Sequence, residues 1–261
     1  QDIGNINLLG ENTYNKIEYG FYSGKRKTKI ITTRSGRKIE CTLNHPIRTV
    51  QDGKIDWKHS EFLKIGDFLP IQRDYKQWKN YNDINPDIAY MIGAMIGDGC
   101  YSEKSTILGF TNNDIDCISN VNIGLKKWND SSLKLIESTT RKKIQYIVKG
   151  SEFNRFYKDE FIKEFGCEKY SQNTLKSTPK SIMHANFSAI AGYLQGLFDT
   201  DGCCHSQSPV VEFSSKSYQL IEETQFLLMV LGINSLLKKQ YNKKYNKYYY
   251  KLQISGSSLR V

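Results

Sequence analysis

The chain has 261 residues, 39% hydrophobic and 12% aromatic, enough to bury a core in one large domain or two. Its 37 Lys and Arg outweigh 27 Asp and Glu, and a formal net charge of +10 favours a polyanionic partner. No signal peptide and no apolar run of membrane-spanning length is present, which argues against a secreted or membrane-spanning protein and leads us to expect an intracellular one. Six cysteines without CxxC spacing are read as reduced thiols. Cys203-Cys204-His205 is contiguous, and contiguous residues rarely chelate one zinc.

Residues 1–80 are rich in β-formers and turns. Lys29–Thr33, Ser35-Gly36 and Lys38–Thr42 predict a hairpin, and Gln51-Asp52-Gly53-Lys54 predicts a second turn with Asp-Gly at its centre. The passage Thr33 to Pro46 resembles the Thr-x-x-His block of inteins, with Thr42 and His45 in the two key places. Trp57 followed by Glu61-Phe62-Leu63-Lys64-Ile65-Gly66-Asp67 resembles the Leu-x-x-Gly-Asp segment that comes next in that family. The resemblance implies a partial Hint-like (intein) domain in which Thr42 and His45 are relics, or half of a site completed elsewhere. Splicing itself is not expected: position 1 is Gln, which cannot perform the initial acyl shift, and no His-Asn dipeptide occurs.

A polar stretch over residues 72–86 reads as a linker, and Pro86-Asp87 as the start of a helix. Two apolar runs follow about a hundred residues apart, Met91 to Gly99 and Leu194 to Gly202, each ending in Asp-Gly. Small residues recur every four positions: Ala89, Gly93 and Gly97 in the first, Gly192, Gly196 and Thr200 in the second. That spacing puts them on one helix face, so the two helices can approach backbone to backbone. Glycine after each run predicts a left-handed cap. Packed in the same sense, the helices would bring Asp98 and Asp201 together, and two adjacent carboxylates repel unless a cation sits between them.

The repeat extends beyond these runs. An offset of 103 places Gly93 on Gly196, Asp98 on Asp201, Phe110 on Phe213, and Ile118, Leu125 and Leu133 on Ile221, Leu228 and Leu236. Each unit predicts a motif helix, a strand ending at Phe110 or Phe213, an amphipathic helix capped by Asn113 or Asp114 or by Ser217, and a hairpin. The hairpins span Ile136 to Val148 and Leu237 to Ile254, and the second is longer. Ser151 to Phe165 predicts a helix closing the first unit, Cys167 to Met183 a connecting loop. The matching closing helix of the second unit is expected after Gly256 and looks cut short at Val261. The resulting division is 1–80, 81–166 and 167–261.

Both motifs resemble the LAGLIDADG family of homing endonucleases, and Leu175-Lys176-Ser177-Thr178-Pro179-Lys180-Ser181-Ile182 resembles the linker before the second motif in its intein-borne members. The resemblance implies an α+β fold: two pseudo-symmetric αββαββα-type repeats forming a DNA-binding β-saddle, behind a β-rich partial Hint-like domain. It further implies a monomeric, site-specific endonuclease that breaks both strands of double-stranded DNA with Mg²⁺, Mn²⁺ substituting. Asp98 and Asp201 are then the metal ligands, helped by the preceding carbonyls of Gly97 and Thr200, with Lys239 and Lys216 as catalytic cations and Asn112 and Ser215 ordering waters. DNA contact is expected from Lys238, Lys243, Lys244, Tyr245, Lys247 and Lys251, where lysines interleave with tyrosines on a ribbon, and from the basic run Arg141-Lys142-Lys143. Two alternatives share these features: a non-cleaving DNA-binding regulator or RNA-splicing cofactor of the same fold, and a protein-splicing fragment.

Overall fold

The computed structural model describes residues 7–10, 13–75, 78, 82–101, 107–129, 132–139, 145–151, 154–167, 175–244 and 246–259. The chain divides into two structural units, Gln1–Trp78 and Lys79–Val261.

The first unit is built of antiparallel hairpins: β1 (Asn7–Leu9) with β2 (Tyr14–Lys16), β3 (Thr28–Thr32) with β4 (Lys38–Thr42), and β5 (Pro46–Gln51) with β6 (Lys54–His59). Asp52 (φ 48°) and Gly53 (φ 75°) close the last hairpin in the left-handed conformation that a two-residue turn requires. Thr42 ends β4 and His45 follows in a turn. Ser60 pins that turn, its Oγ donating to the carbonyls of Thr42 (2.8 Å) and Leu43 (2.9 Å) and its N–H to that of His45 (2.9 Å). Among the described residues of this unit, Cys41 is the one apolar side chain that is buried, while Ile30, Ile55, Trp57 and Phe68 are exposed.

The second unit is a mixed α and β structure in which one pattern occurs twice. Its first copy is α1 (Pro86–Asp98), β7 (Gly99–Cys100), β8 (Gly109–Phe110), α2 (Ile115–Trp128), β9 (Lys134–Glu137), β10 (Tyr146–Lys149) and α3 (Asn154–Phe165). A short helix, α4 (Lys180–Met183), interrupts the expected loop. The second copy is α5 (Phe187–Asp201), β11 (Gly202–Cys204), β12 (Val210–Ser215), α6 (Tyr218–Val230), β13 (Leu236–Asn242) and β14 (Lys247–Ser255). The two four-stranded sheets share a strand order, β7-β8-β10-β9 and β11-β12-β14-β13.

Local sequence explains the boundaries. Asn85 caps α1 by accepting from the Asp87 N–H (2.9 Å), with Pro86 in the first turn; Asn186 caps α5 through the Ala189 N–H (2.7 Å). Asp114 caps α2 and Ser217 caps α6. The fully buried side chains include Met91, Ile92, Met95, Ile96, Leu108, Phe110 and Phe213, so the core lies between the motif helices and the sheets. Helix α3 closes the first copy through Phe161 and Phe165, which pack on Trp128 at ring separations of 5.9 and 5.4 Å. After β14 the described chain makes a 3₁₀ turn, Gly256–Leu259.

Candidate active site at the paired helix ends

Helices α1 and α5 pack along their whole lengths, and glycine permits it. A Cβ added at Gly93 would stand 2.0 Å from the carbonyl oxygen of Tyr193, and one at Gly196 would stand 2.1 Å from that of Tyr90. These two contacts exchange under the 103-residue offset, so they are the two halves of one pseudo-two-fold interface. Other contacts join equivalent positions directly. Asn186 Nδ2 donates to Asp83 Oδ1 (2.6 Å) at one end, and Gly97 meets Thr200 at the other. The contacts advance together along both helices, which therefore run parallel and end side by side.

The helices stop differently from the expectation. Gly99 (φ −77°, ψ 150°) and Gly202 (φ −84°, ψ 161°) are extended, not left-handed. Each N–H still bonds the carbonyl four residues back, of Met95 or Phe198, and the chain turns directly into β7 or β11. Glycine serves there because a Cβ would fall 2.1 Å from the Met95 oxygen or 2.3 Å from the Phe198 oxygen.

Asp98 and Asp201 are brought together at this end. A Cβ placed on Gly97, the residue before Asp98, would lie 3.6 Å from Asp201 Oδ2. Burial raises the pKa of Asp98, and the neighbouring charge of Asp201 raises it further. Asn112 opposes this by donating from Nδ2 to Asp98 Oδ2 (2.8 Å). Burial likewise raises the pKa of Asp201.

Among the described residues, the cation acting on both carboxylates is Lys176. It reaches in from the segment before α4 and donates from Nζ to the carbonyl of Gly97 (2.6 Å). Burial lowers its pKa, while Asp201 and then Asp98 hold it up. Lys176 lies outside the repeat register, and the only sequence signal for it is its place in the linker-like segment.

The other expected residues are distributed over the second sheet. Lys239 Nζ lies 4.1 Å from the ring centroid of Tyr248, and Lys216 Nζ lies 5.7 Å from that of Tyr249, so neither expected catalytic cation is engaged with the aspartates. Strand alternation explains Lys239: it pairs with Tyr250, on the face of Leu237 and Leu252, whereas Lys238 pairs with Lys251 on the opposite face. That opposite face carries an open cavity of about 550 Å³ lined in part by Ser214, Gln240, Lys243, Lys244, Tyr249 and Lys251. Lys247 pairs with Asn242 at the ribbon's tip. Tyr245, Arg141, Lys142 and Lys143 lie outside the described residues. Thr200 turns its hydroxyl back onto the Gly196 and Leu197 carbonyls (both 3.0 Å). Asp199 accepts from the Tyr90 hydroxyl (2.8 Å), a link between the helices that the sequence did not reveal.

Residues 188–261 match the family model described as a LAGLIDADG-like domain. Over 261 aligned positions the chain is 31% identical to the replication factor C small subunit of Methanocaldococcus jannaschii, covering 97% of this chain and 13% of that protein. It is 28% identical to the replicative DNA helicase DnaB of Rhodothermus marinus (92% of this chain, 26% of that protein). It is 27% identical to the ribonucleoside-diphosphate reductase NrdEB subunit alpha of Bacillus subtilis (78% and 19%). The chain thus spans little more than a quarter, or less, of these relatives' lengths. Among solved structures, the homing endonuclease I-DmoI in complex with DNA and Ca superposes with a TM-score of 0.44 at 16% identity, over 67% of this chain and 85% of that one. Full-length DUF199/WhiA from Thermatoga maritima superposes with the same score and identity, over 67% and 52%.

Among the described residues, no helix is long and apolar enough to cross a membrane.

Proposed function

We propose that this chain is a site-specific homing endonuclease that makes a metal-dependent double-strand break in DNA. The observation that carries the reading is the convergence of Asp98 and Asp201 at two parallel helix ends, with the charge of Lys176 acting on both. The donor set fits Mg²⁺, or Mn²⁺ in its place. Two carboxylates and the Gly97 carbonyl are hard oxygen donors, and burial with mutual repulsion leaves the carboxylates in need of a cation. The ammonium seated on the Gly97 carbonyl marks that oxygen as cation-accepting. Asp98, Asp201 and the carbonyls of Gly97 and Thr200 would hold the metal, which when bound neutralises phosphoryl charge and activates a water.

The protein's own groups supply the remaining chemistry. Asn112 fixes the Asp98 carboxylate by donating to one of its two oxygens. Lys176 offers a positive charge to the phosphoryl oxygens as negative charge builds on them, in a site where partial burial strengthens the interaction. Lys216, held over the Tyr249 ring, would serve the ribbon's DNA contacts instead of the chemistry, whereas Lys239 sits over Tyr248 on the other face of the ribbon. The face bearing Lys238, Lys251 and the open cavity is the proposed saddle for double-stranded DNA.

Matches to small fractions of a replication factor C subunit, a DNA helicase and a reductase subunit, whose names share no activity, support reading the chain as a mobile insertion. The hairpins of the first unit, with Thr42 and His45 beside Ser60, support a partial Hint-like domain, and we propose an intracellular, monomeric protein. The test is incubation with Mg²⁺ and DNA carrying the uninterrupted insertion site of a host gene. A linear product that disappears with EDTA supports the reading. Specific binding without cleavage in Mg²⁺ or Mn²⁺ overturns the enzyme in favour of a regulator.

A further inference from the structure

Glu212 is an anomaly on the face proposed to meet DNA. It lies on β12 between Cys203 of β11 and Gln253 of β14, and the next rung on the same face is Ser214, Lys251 and Lys238. A carboxylate there would repel phosphates, yet its side chain is only 9% exposed and three donors converge on it. Lys251 Nζ and His205 Nε2 each stand 3.1 Å from Oε2, and Gln253 Nε2 donates to Oε1. Bonding by Gln253, His205 and Lys251 holds the Glu212 pKa down to about 2, so the group is a carboxylate at any working pH.

The consequence concerns orientation. A free glutamine amide can present either its oxygen or its nitrogen toward a ligand. A carboxylate can only accept, so Glu212 must take the Gln253 nitrogen, and Oε1 is then fixed on the far side of the amide. The Lys251 ammonium is likewise anchored at one of its three hydrogens. Glutamine reads adenine and lysine reads guanine through their major-groove edges, the amide by its donor and acceptor order and the ammonium by the direction of its donors. The first copy lacks the device: where Glu212 faces Gln253, Gly109 faces Ile147.

We propose that Glu212 is a positioning residue for sequence recognition, orienting Gln253 and Lys251 toward base edges so that the second copy reads its half of the target more stringently than the first. This rests on the DNA-binding reading above.

The experiment is selection from a randomised duplex library with Ca²⁺ in place of Mg²⁺, comparing wild type with E212Q, Gln253→Ala and Lys251→Ala, each checked for folding by thermal melt. The wild type is expected to select a site. E212Q should lose discrimination about tenfold at the base pairs that the other two variants also relax, and only within one half-site, without weaker binding to the unselected pool. An E212Q profile identical to wild type overturns the inference, as does a loss spread evenly over both halves. Should E212Q fail to fold, unchanged base preferences in Gln253→Ala and Lys251→Ala overturn it equally. A wild-type pool with no preferred sequence overturns site-specific recognition itself, and this inference with it.

Discussion

The ammonium of Lys176 donates a 2.6 Å hydrogen bond to the carbonyl of Gly97, one residue before Asp98. One side chain from outside both repeats thus serves the point where the repeats meet. Its charge acts on both motif carboxylates, so a single substitution removes the cation from both halves of the proposed active site.

Lys176→Met is therefore expected to slow cleavage of both strands about a hundredfold or more, the usual loss when one charge-stabilising group leaves an active site. Binding measured in Ca²⁺ should change little. Single-turnover cleavage rates set against gel-shift affinities separate the two. A variant cutting at the wild-type rate would remove Lys176 from the mechanism.

Asp98→Asn and Asp201→Asn keep side-chain shape while removing the charge that would hold a metal. Each is expected to abolish double-strand breakage. The two carboxylates differ in surroundings, because Asn112 bonds Asp98 whereas the counterpart of Asn112 under the offset is Ser215. The strands should then be cut at unequal rates in the wild type, and open-circle plasmid should accumulate before linear. Supercoiled plasmid passing straight to linear would count against this asymmetry.

Gly196→Ala tests the helix interface. Its methyl would meet the Tyr90 carbonyl at 2.1 Å, and backbone cannot step aside as a flexible side chain can. Forcing the helices apart should cost about 1–3 kcal/mol or somewhat more. It should also part the aspartates, so cleavage should fall further than binding. Denaturant melts and cleavage rates, compared with those of an exposed Ala control, check both outcomes.

Glu212 gives a pH signature of its own. Its folded-state pKa is depressed from 4.5 to about 2, so its contribution to stability is full above 4.5 and is lost as pH falls toward 2. The stability difference between wild type and E212Q should be constant near neutrality and shrink as pH falls below 4.5. Urea melts across that range decide it; a difference independent of pH would mean that Glu212 is not held as a carboxylate by its three donors.

The repeat was legible because burial imposes a period. Every fourth residue on α1 and α5 had to be small, and Phe110 and Phe213 had to reach the core, so the offset of 103 carried through helix, strand and helix. Lys176 carries no period, since it lies in an irregular segment outside any helix or strand. The Lys238-Lys239 pair held a usable signal. Adjacent residues on a strand point to opposite faces, and Leu237 and Leu252 already fix which face is core, so Lys238 alone could share a face with Lys251. The extended caps at Gly99 and Gly202 were hidden because glycine is read first as a left-handed residue, while here it answers a steric demand from its own helix. The Glu212 cluster joins β11, β12 and β14 through a register that no local pattern predicts.

Parallel packing of α1 and α5 has an electrostatic result that side chains do not supply. Every peptide unit in a helix adds to a dipole whose carboxyl-terminal end carries roughly half a negative elementary charge. Antiparallel neighbours would cancel theirs; here both negative poles are delivered to one spot, together about a full charge before either aspartate ionises. The backbone itself draws a cation to the place where Gly97 meets Thr200. A protein with both aspartates replaced by asparagine should still concentrate divalent ions there weakly, and what the carboxylates add is the grip that fixes an ion in place.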